Sequence, residues 1–257
     1  MIFCGTPIWH SLDVKTAHSL SSLILGSKET IHGEMQEGDG LISRSRSTLA
    51  TKMLIGFPDC DVMGMVDADI QFEPADFLKL VRSARETGQI VAGVYVTRQR
   101  KPKPTSLPYP GQVWTFVDQE EPALEEVRYV SPGFMAVPRK ILEEMTEREF
   151  ATINGKERLW YARGGSDEGY AWDFFRPFVI RDEHGEPWLL GEDFAFCERA
   201  KQMGFKCLID RSIFIAHRAT VSVSVFDLEQ EGHSLSVEGP PAYEAIGLTK
   251  TVRSAAI

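Results

Sequence analysis

Short apolar runs alternate with amphipathic helical segments over the first 96 residues, and this alternation constrains the fold more than any other feature of the chain. Residues 2–4 and 62–66 have the pattern of buried strands, whereas residues 13–26 and 41–55 carry apolar side chains at helical spacing. A further helix is predicted to begin at Pro74. Repeated strand and helix units are typical of α/β folds with a mostly parallel, Rossmann-like sheet, in which ligands bind at the carboxyl ends of the strands.

The remainder of the chain adds to this α/β unit. Residues 151–190 are rich in Gly, Trp, Tyr and Phe without a sustained period, which suggests a lid or a pocket wall. A helix is predicted over residues 192–203, followed by two short strands, the second of which ends at His217. We therefore predict one domain over residues 1–218, with a C-terminal edge strand and tail over residues 219–257.

The composition is that of an ordinary globular protein, with 43% apolar and 25% charged residues. The formal net charge of -9 gives no general attraction to polyanions or anionic membranes, so a nucleic-acid contact would need a local basic patch. No apolar run approaches the roughly 20 residues that a bilayer requires, and the N-terminus lacks the pattern of a secretory signal. The four cysteines show no metal-binding spacing. These features predict a cytoplasmic protein without a membrane partner.

Two aspartates follow the predicted strand over residues 62–66. Asp67 and Asp69 are two residues apart, so both carboxylates can lie at the edge of the sheet where ligands bind. Carboxylate oxygens at this place suit Mn²⁺ or Mg²⁺. The same Asp-x-Asp pattern occurs at Asp59 and Asp61, but that copy precedes the strand and lies at its amino end. Position therefore favours Asp67 and Asp69 as the metal-binding pair.

The chain resembles the GT-A glycosyltransferases, in particular the family-2-like enzymes of the Asp-x-Asp type, through the order of three motifs. These are Asp67-Ala68-Asp69, the acidic pair Glu192-Asp193 that opens a helix, and His217 at the end of a later strand. The resemblance covers roughly residues 1–218. It implies a single Rossmann-like domain of the nucleotide-diphospho-sugar transferase type. It also implies transfer of a sugar from a nucleoside diphosphate, with UDP-sugars as the first choice of donor, to an acceptor hydroxyl.

The resemblance further implies a metal site and a catalytic base. Asp69 would be the principal ligand of Mn²⁺ or Mg²⁺, Asp67 would contact the ribose or the metal, and His217 would complete the protein ligands. Asp193 would take the proton of the acceptor hydroxyl if the reaction inverts the anomeric carbon. The alternative for Asp193 is a carboxylate that is stabilised by the helix dipole and has no part in catalysis.

Four further residues are predicted to bind the donor. Thr6 and Pro7 end the first strand, where the family holds the nucleotide base. Arg44 is a candidate for stacking on the base or pairing with phosphate, although Arg46 is an alternative, since side chains two apart on a helix face different sides. Gly133 resembles the glycine whose backbone approaches the donor sugar, and a glycine needed only for packing is the alternative.

The acceptor is not identified by the sequence. An aromatic cluster over residues 160–175 suits a sugar or a stacked base, and from it Trp172 and Asp173 are predicted to bind the acceptor. Core packing is the alternative for about half of the aromatic residues in this cluster. A short basic loop, with Arg98, Arg100, Lys101 and Lys103, follows a strand near the predicted site. This loop and the compact chain resemble viral enzymes that glycosylate hydroxymethylated pyrimidines, so modified DNA is an alternative acceptor.

Two other classes of protein are compatible with the sequence. A nucleotidyltransferase also uses paired carboxylates and a metal on an α/β sheet, but it would normally have a Gly-rich loop after the first strand. Here Gly5 is the only glycine at that place. An inactive nucleotide-sugar-binding module would share the site but not the metal-dependent reaction.

Overall fold

The computed structural model describes residues 1–98, 103–113, 117, 119–159, 161–163 and 170–218. Its helices are α1 (Val14–Gly26), α2 (Ile42–Gly56), α3 (Pro74–Thr87), α4 (Arg139–Glu147) and α5 (Glu192–Gln202). Its strands are β1 (Ile2–Ile8), β2 (Ile31–Glu37), β3 (Val62–Val66), β4 (Ile70–Gln71), β5 (Ile90–Val94), β6 (Leu124–Val127), β7 (Phe134–Pro138), β8 (Glu149–Thr152), β9 (Gly155–Arg158), β10 (Tyr161–Arg163), β11 (Tyr170–Trp172), β12 (Phe178–Arg181), β13 (Pro187–Leu190), β14 (Cys207–Phe214) and β15 (Ala216–His217). None of the described helices is both long enough and apolar enough to cross a bilayer.

Seven strands form the central sheet in the order β2-β1-β3-β7-β5-β14-β6. Strand β1 is parallel to β2 and β3, and β14 is parallel to β5. Strand β7 lies antiparallel between β3 and β5, and β6 is an antiparallel edge strand. Five of the seven strands therefore run in the same direction. The predicted α/β fold with a mostly parallel central sheet is confirmed.

Helices cover both faces of the sheet. Alternate side chains of a strand point to opposite faces, so a central strand packs against helices on both sides. In β1, Phe3 packs on the face covered by Leu49 and Met53 of α2. Its neighbours Ile2 and Cys4 pack on the opposite face with residues of α1 and α3. All residues of β1, β3 and β5 are buried, as expected of central strands covered on both sides.

Local signals fix several element ends where the sequence predicts them. The Asp13 carboxylate accepts a hydrogen bond from the Lys15 amide at 2.8 Å and so caps α1. Pro74 begins α3, and Gly88 ends it with a φ of 66°, a conformation that favours glycine. Position 64 requires glycine, since a Cβ atom there would collide with the ring of Phe77.

The C-terminal half departs from the prediction in three places. Residues 206–216, predicted as two strands, form β14 with an irregularity between Asp210 and Phe214, followed by β15. Helix α4 was not predicted, although Ile141, Leu142 and Met145 give it one buried face. Part of the segment over 151–190 forms two-stranded antiparallel pairs. The edge strand and tail predicted over 219–257 lie outside the described residues.

Two members of the predicted aromatic wall belong to the core instead. Phe174 and Phe175 are fully buried, and the ring of Phe175 stacks on that of Phe196 in α5 with centroids 4.4 Å apart. Buried Arg199 holds this segment against α5 by donating to the carbonyl oxygens of Phe174 and Arg176. These two rings therefore follow the core-packing alternative, because fully buried rings cannot face a ligand.

Candidate active site

A cavity of about 410 Å³ lies at the carboxyl ends of the parallel strands β1 and β3. Its walls come from residues 7–11 at the end of β1 and directly after it, the turn at Asp39 and Gly40 after β2, and residues 67–69 after β3. Arg98 and Arg218 close another part of the wall. This is the edge at which α/β sheets bind ligands, and the volume is within the range of small-molecule sites.

His217 lies beside Asp69 although 148 residues separate them in the chain. Strand β15 pairs with β4, which follows the Asp-x-Asp motif, and so brings His217 to the motif. The Nε2 atom of His217 lies 3.6 Å from Oδ1 of Asp69. The Nδ1 atom donates to the carbonyl of Val96 at 2.7 Å, since a carbonyl oxygen can only accept. In the neutral imidazole, Nε2 therefore directs its lone pair toward the carboxylate.

A second cation contacts Asp69. The guanidinium of Arg98 lies 2.7 Å from Oδ2, and half of the Arg98 side chain is exposed. Partial burial opposes the ionisation of Asp69, but the hydrogen bond and positive charge of the imidazolium form of His217, together with Arg98, outweigh it and hold the pKa of this carboxyl below its usual value. Asp69 is therefore ionised near neutral pH, as a metal ligand must be.

Asp67 is held by Arg46, which is only 4% exposed. The Nη2 atom of Arg46 donates to both carboxylate oxygens of Asp67, at 2.8 and 2.9 Å. Its Nη1 atom donates to Glu192 at 2.9 Å, at the start of α5. Arg46 thus connects the Asp-x-Asp motif of β3 to the Glu-Asp motif of α5. Of the two arginines considered from the sequence, Arg46 is the one that contacts the motif residues.

Arg44 occupies a different position from Arg46. It forms a two-point ion pair with Asp39, with distances of 2.6 and 2.7 Å, and Asp39 lines the cavity. The hydrogen bond from Arg44 is the main cause that lowers the pKa of Asp39. Pro7 lines the cavity, whereas the side chain of Thr6 is buried within β1.

The backbone of Gly133 packs closely against Asp67 and Tyr95. Its carbonyl accepts from the Asp67 amide at 2.9 Å, and its own amide donates to the Tyr95 hydroxyl at 3.1 Å. A Cβ atom at this position would collide with that hydroxyl and would lie 2.8 Å from Oδ2 of Asp67. Because Gly133 has no side chain, the carboxylate of Asp67 can lie directly against its backbone.

Asp193 lies in the first turn of α5, next to Glu192. Its Oδ1 atom accepts a hydrogen bond from the Phe194 amide at 2.8 Å. Burial, followed by the negative charge of Glu192, raises the pKa of Asp193 above its ordinary value. A carboxylate with a raised pKa is a better proton acceptor than an ordinary aspartate, which suits a general base.

Trp172 and Asp173 are not among the described residues that line this cavity. The Trp172 amide donates to the Thr51 hydroxyl at 3.1 Å, and its ring packs against the core. Burial raises the pKa of Asp173, against the opposing charges of Arg176 and Arg199. Trp160 of the same predicted cluster lies outside the described residues.

Trp9 lines the cavity but is not predicted from the sequence. Its side chain is 63% exposed at the cavity wall, and its ring stacks on that of His10 with centroids 3.9 Å apart. The ring also lies close to Gly40, which lines the same cavity. The available signal was an aromatic pair directly after the predicted first strand, where a loop residue is expected to be exposed.

Within the described part of the chain, no three His, Cys, Asp or Glu side chains are grouped closely enough to hold a metal alone. Asp69 and His217 make a two-residue set, and Asp67 lies turned toward Arg46. This number of protein ligands is consistent with small divalent cations that bind nucleotide phosphates, because such ions keep waters and phosphate oxygens in their coordination shell.

Comparisons with known proteins give structural but no sequence relatives. No protein-family model matches the sequence, and no curated protein matches it significantly. Among solved structures, A197 from STIV is similar, with a TM-score of 0.52 and 16% identity over 85% of this chain and 86% of that one. At this identity the likeness shows a shared fold alone.

Glycosyltransferases are also among the structural neighbours. GalNAc-T7, solved with UDP, GalNAc and Mn²⁺, matches with a TM-score of 0.44 and 11% identity over 86% of this chain and 44% of that one. A glycosyltransferase involved in glycosylation of the major capsid of PBCV-1 matches with a TM-score of 0.34 and 12% identity over 56% of this chain and 62% of that one. These two superpositions are too loose to bear on the activity of this chain.

Proposed function

We propose that this protein is a metal-dependent glycosyltransferase of the GT-A type, which moves a sugar from a nucleoside diphosphate to an acceptor hydroxyl. The observation that carries the proposal is the approach of His217 Nε2 to within 3.6 Å of Asp69, at the wall of a cavity that Asp67 also lines. An imidazole lone pair facing a carboxylate is unfavourable unless a proton or a cation lies between them.

The donor set fits Mn²⁺ or Mg²⁺. Asp69 supplies a hard oxygen and His217 a neutral nitrogen, a combination that suits Mn²⁺ well. The hydrogen bond from His217 to the Val96 carbonyl fixes the ring, as outer partners commonly do for metal-bound histidines. Asp67 would contribute through its remaining lone pairs or through water. When bound, such a metal neutralises charge that develops on the leaving diphosphate.

The nucleoside is proposed to lie against the end of β1 and the residues that follow it. Pro7 and the exposed ring of Trp9 line the cavity and offer an apolar face to a base. Thr6 supports this wall from its buried position. Arg44 contributes by fixing the Asp39 carboxylate at the cavity wall, where it can accept from a base or a ribose. Gly133 contributes because its lack of a side chain leaves room for the carboxylate of Asp67.

Asp193 is proposed to take the proton of the attacking hydroxyl in a reaction with inversion. Its pKa is raised by burial and by Glu192, so it holds the proton better than an exposed aspartate would. Arg46 ties Glu192 to Asp67 and thereby sets the start of α5 relative to the Asp-x-Asp motif. The first turn of α5, which carries Asp193, is thus fixed relative to Asp67, although Asp193 is not among the described residues that line the cavity.

The acceptor remains a prediction. Trp172 and Asp173 stay candidates for an acceptor surface outside the cavity. In the basic loop, Arg98 pairs with Asp69, while Arg100 and Lys101 lie outside the described residues. Hydroxymethylated DNA therefore stays an alternative acceptor on the strength of the sequence alone.

Thermal unfolding with nucleotides tests the proposal without knowledge of the acceptor. UDP together with Mn²⁺ is expected to raise the Tm by on the order of 5–10 °C at about 100 times its Kd, because a ligand of the native state stabilises it. UDP with a chelator is expected to give little shift. Equal shifts with Mn²⁺ and with chelator would contradict metal-dependent binding. A larger shift with UTP than with UDP would favour a nucleotidyltransferase.

A further inference from the structure

The two arginines that contact the Asp-x-Asp motif are held in opposite ways. Arg46 is buried and donates to both Asp67 and Glu192. Arg98 lies at the cavity wall with its side chain 50% exposed and pairs with Asp69. An exposed ion pair exchanges partners at small cost, whereas a buried arginine that lost its carboxylates would be left as an uncompensated charge. Arg98 can therefore change partners, and Arg46 cannot.

Arg98 neutralises the same carboxylate that a metal on Asp69 would use. Its guanidinium takes Oδ2 at 2.7 Å, and His217 faces Oδ1 of the same carboxylate. The carbonyl of Val96, two residues before Arg98, fixes the His217 ring. A divalent cation bound by Oδ1 of Asp69 and by His217 would share that carboxylate with the guanidinium on Oδ2, so the two positive charges would repel each other. The two cations therefore compete for one carboxylate.

We propose that Arg98 is an exchangeable counter-ion of Asp69. It neutralises the carboxylate in the free protein, releases it to the divalent cation, and then pairs with the diphosphate of the donor. The guanidinium fork suits phosphate oxygens, and Arg98 already lies at the wall of the cavity in which the diphosphate would bind. The inference rests on the proposed function, to which it adds a second binding partner for the diphosphate.

Direct measurement of Mn²⁺ binding tests the exchange, with the paramagnetic resonance signal of free Mn²⁺ as the readout. Without nucleotide, Arg98→Ala is expected to bind Mn²⁺ about 3-fold more tightly than the unaltered protein, because a competing ion pair of ordinary surface strength is removed. With saturating Mn²⁺, the same variant is expected to bind UDP about 10-fold more weakly, because a charged phosphate contact is lost. A purely structural role would not move the two affinities in opposite directions.

Arg82→Ala is the matched control, since the Arg82 side chain is 48% exposed and pairs with Glu121 outside this cavity. It should change neither affinity. Unchanged or weaker Mn²⁺ binding by Arg98→Ala overturns the exchange and leaves the proposed function intact. Unchanged UDP binding by Arg98→Ala overturns the proposed pairing of Arg98 with the diphosphate. Failure of the unaltered protein and of Arg98→Ala alike to bind Mn²⁺ overturns the exchange together with the proposed metal site.

Discussion

Replacing Asp69 with alanine is expected to lower metal-dependent release of UDP from a UDP-sugar by about 10³-fold or more. A metal ion contributes several kcal/mol to stabilising charge in the transition state, and about 1.4 kcal/mol corresponds to a factor of ten in rate. Asp69 is the carboxylate that faces His217 across 3.6 Å, so its removal takes away one of the two proposed protein ligands. Initial rates of hydrolysis, measured over a Mn²⁺ titration with a panel of UDP-sugars, check the result.

Asp59→Ala is the control for this experiment. Asp59 belongs to the other Asp-x-Asp copy, is exposed, and lies at the amino end of β3. The control should retain the rate and its dependence on Mn²⁺. Equal rates for Asp69→Ala and the unaltered protein would contradict the assignment. A chain that shows no metal-dependent hydrolysis at all, but still binds UDP, would be the inactive binding module.

Asp193→Asn is expected to lower the rate of hydrolysis by about 10² to 10⁴-fold, the usual contribution of a general base, while UDP and Mn²⁺ bind unchanged. The raised pKa of Asp193 also predicts a pH dependence. A base acts in its deprotonated form, so kcat/KM should fall as the pH falls through the pKa of Asp193. This acidic limb should lie above the ordinary aspartate value of about 3.9, and it should be absent from the variant.

Asp76→Asn is the matched control for Asp193. Asp76 also lies in the first turn of a helix, α3, and burial raises its pKa to about 6. It lines a different cavity, near Lys79 and Ser212. If loss of any partly buried carboxylate at a helix start lowered the rate, both variants would be slow. A rate for Asp193→Asn within about threefold of the unaltered protein would instead identify Asp193 as the helix-stabilising carboxylate.

The sequence predicts the regions where local signals are strong. The apolar run over β3, the Asp13 cap and the Gly88 stop each depend on neighbouring residues, and the structure has the corresponding elements. The order of the motifs also predicts that His217 returns to the Asp-x-Asp segment. The pairing of β15 with β4 is what brings it there, and its role as a metal ligand stays a prediction.

The sequence does not predict which distant segments contact each other. Arg46 meets Glu192 across 146 residues, and nothing in the local pattern distinguishes it from Arg44, which pairs with nearby Asp39. Burial likewise separates Phe174 and Phe175, which enter the core, from the exposed Trp9. Side-chain type alone does not determine which aromatic ring faces a ligand, because helix packing decides which rings are covered.

The most direct measurement is the anomalous scattering of manganese in crystals grown with Mn²⁺ and UDP. We expect one strong peak in the cavity after β3, within about 2.0–2.3 Å of a carboxylate oxygen of Asp69 and of Nε2 of His217, the usual range for small divalent cations. The UDP phosphates should complete its coordination. A peak elsewhere, or UDP bound in the cavity with no ion between Asp69 and His217, would contradict the account.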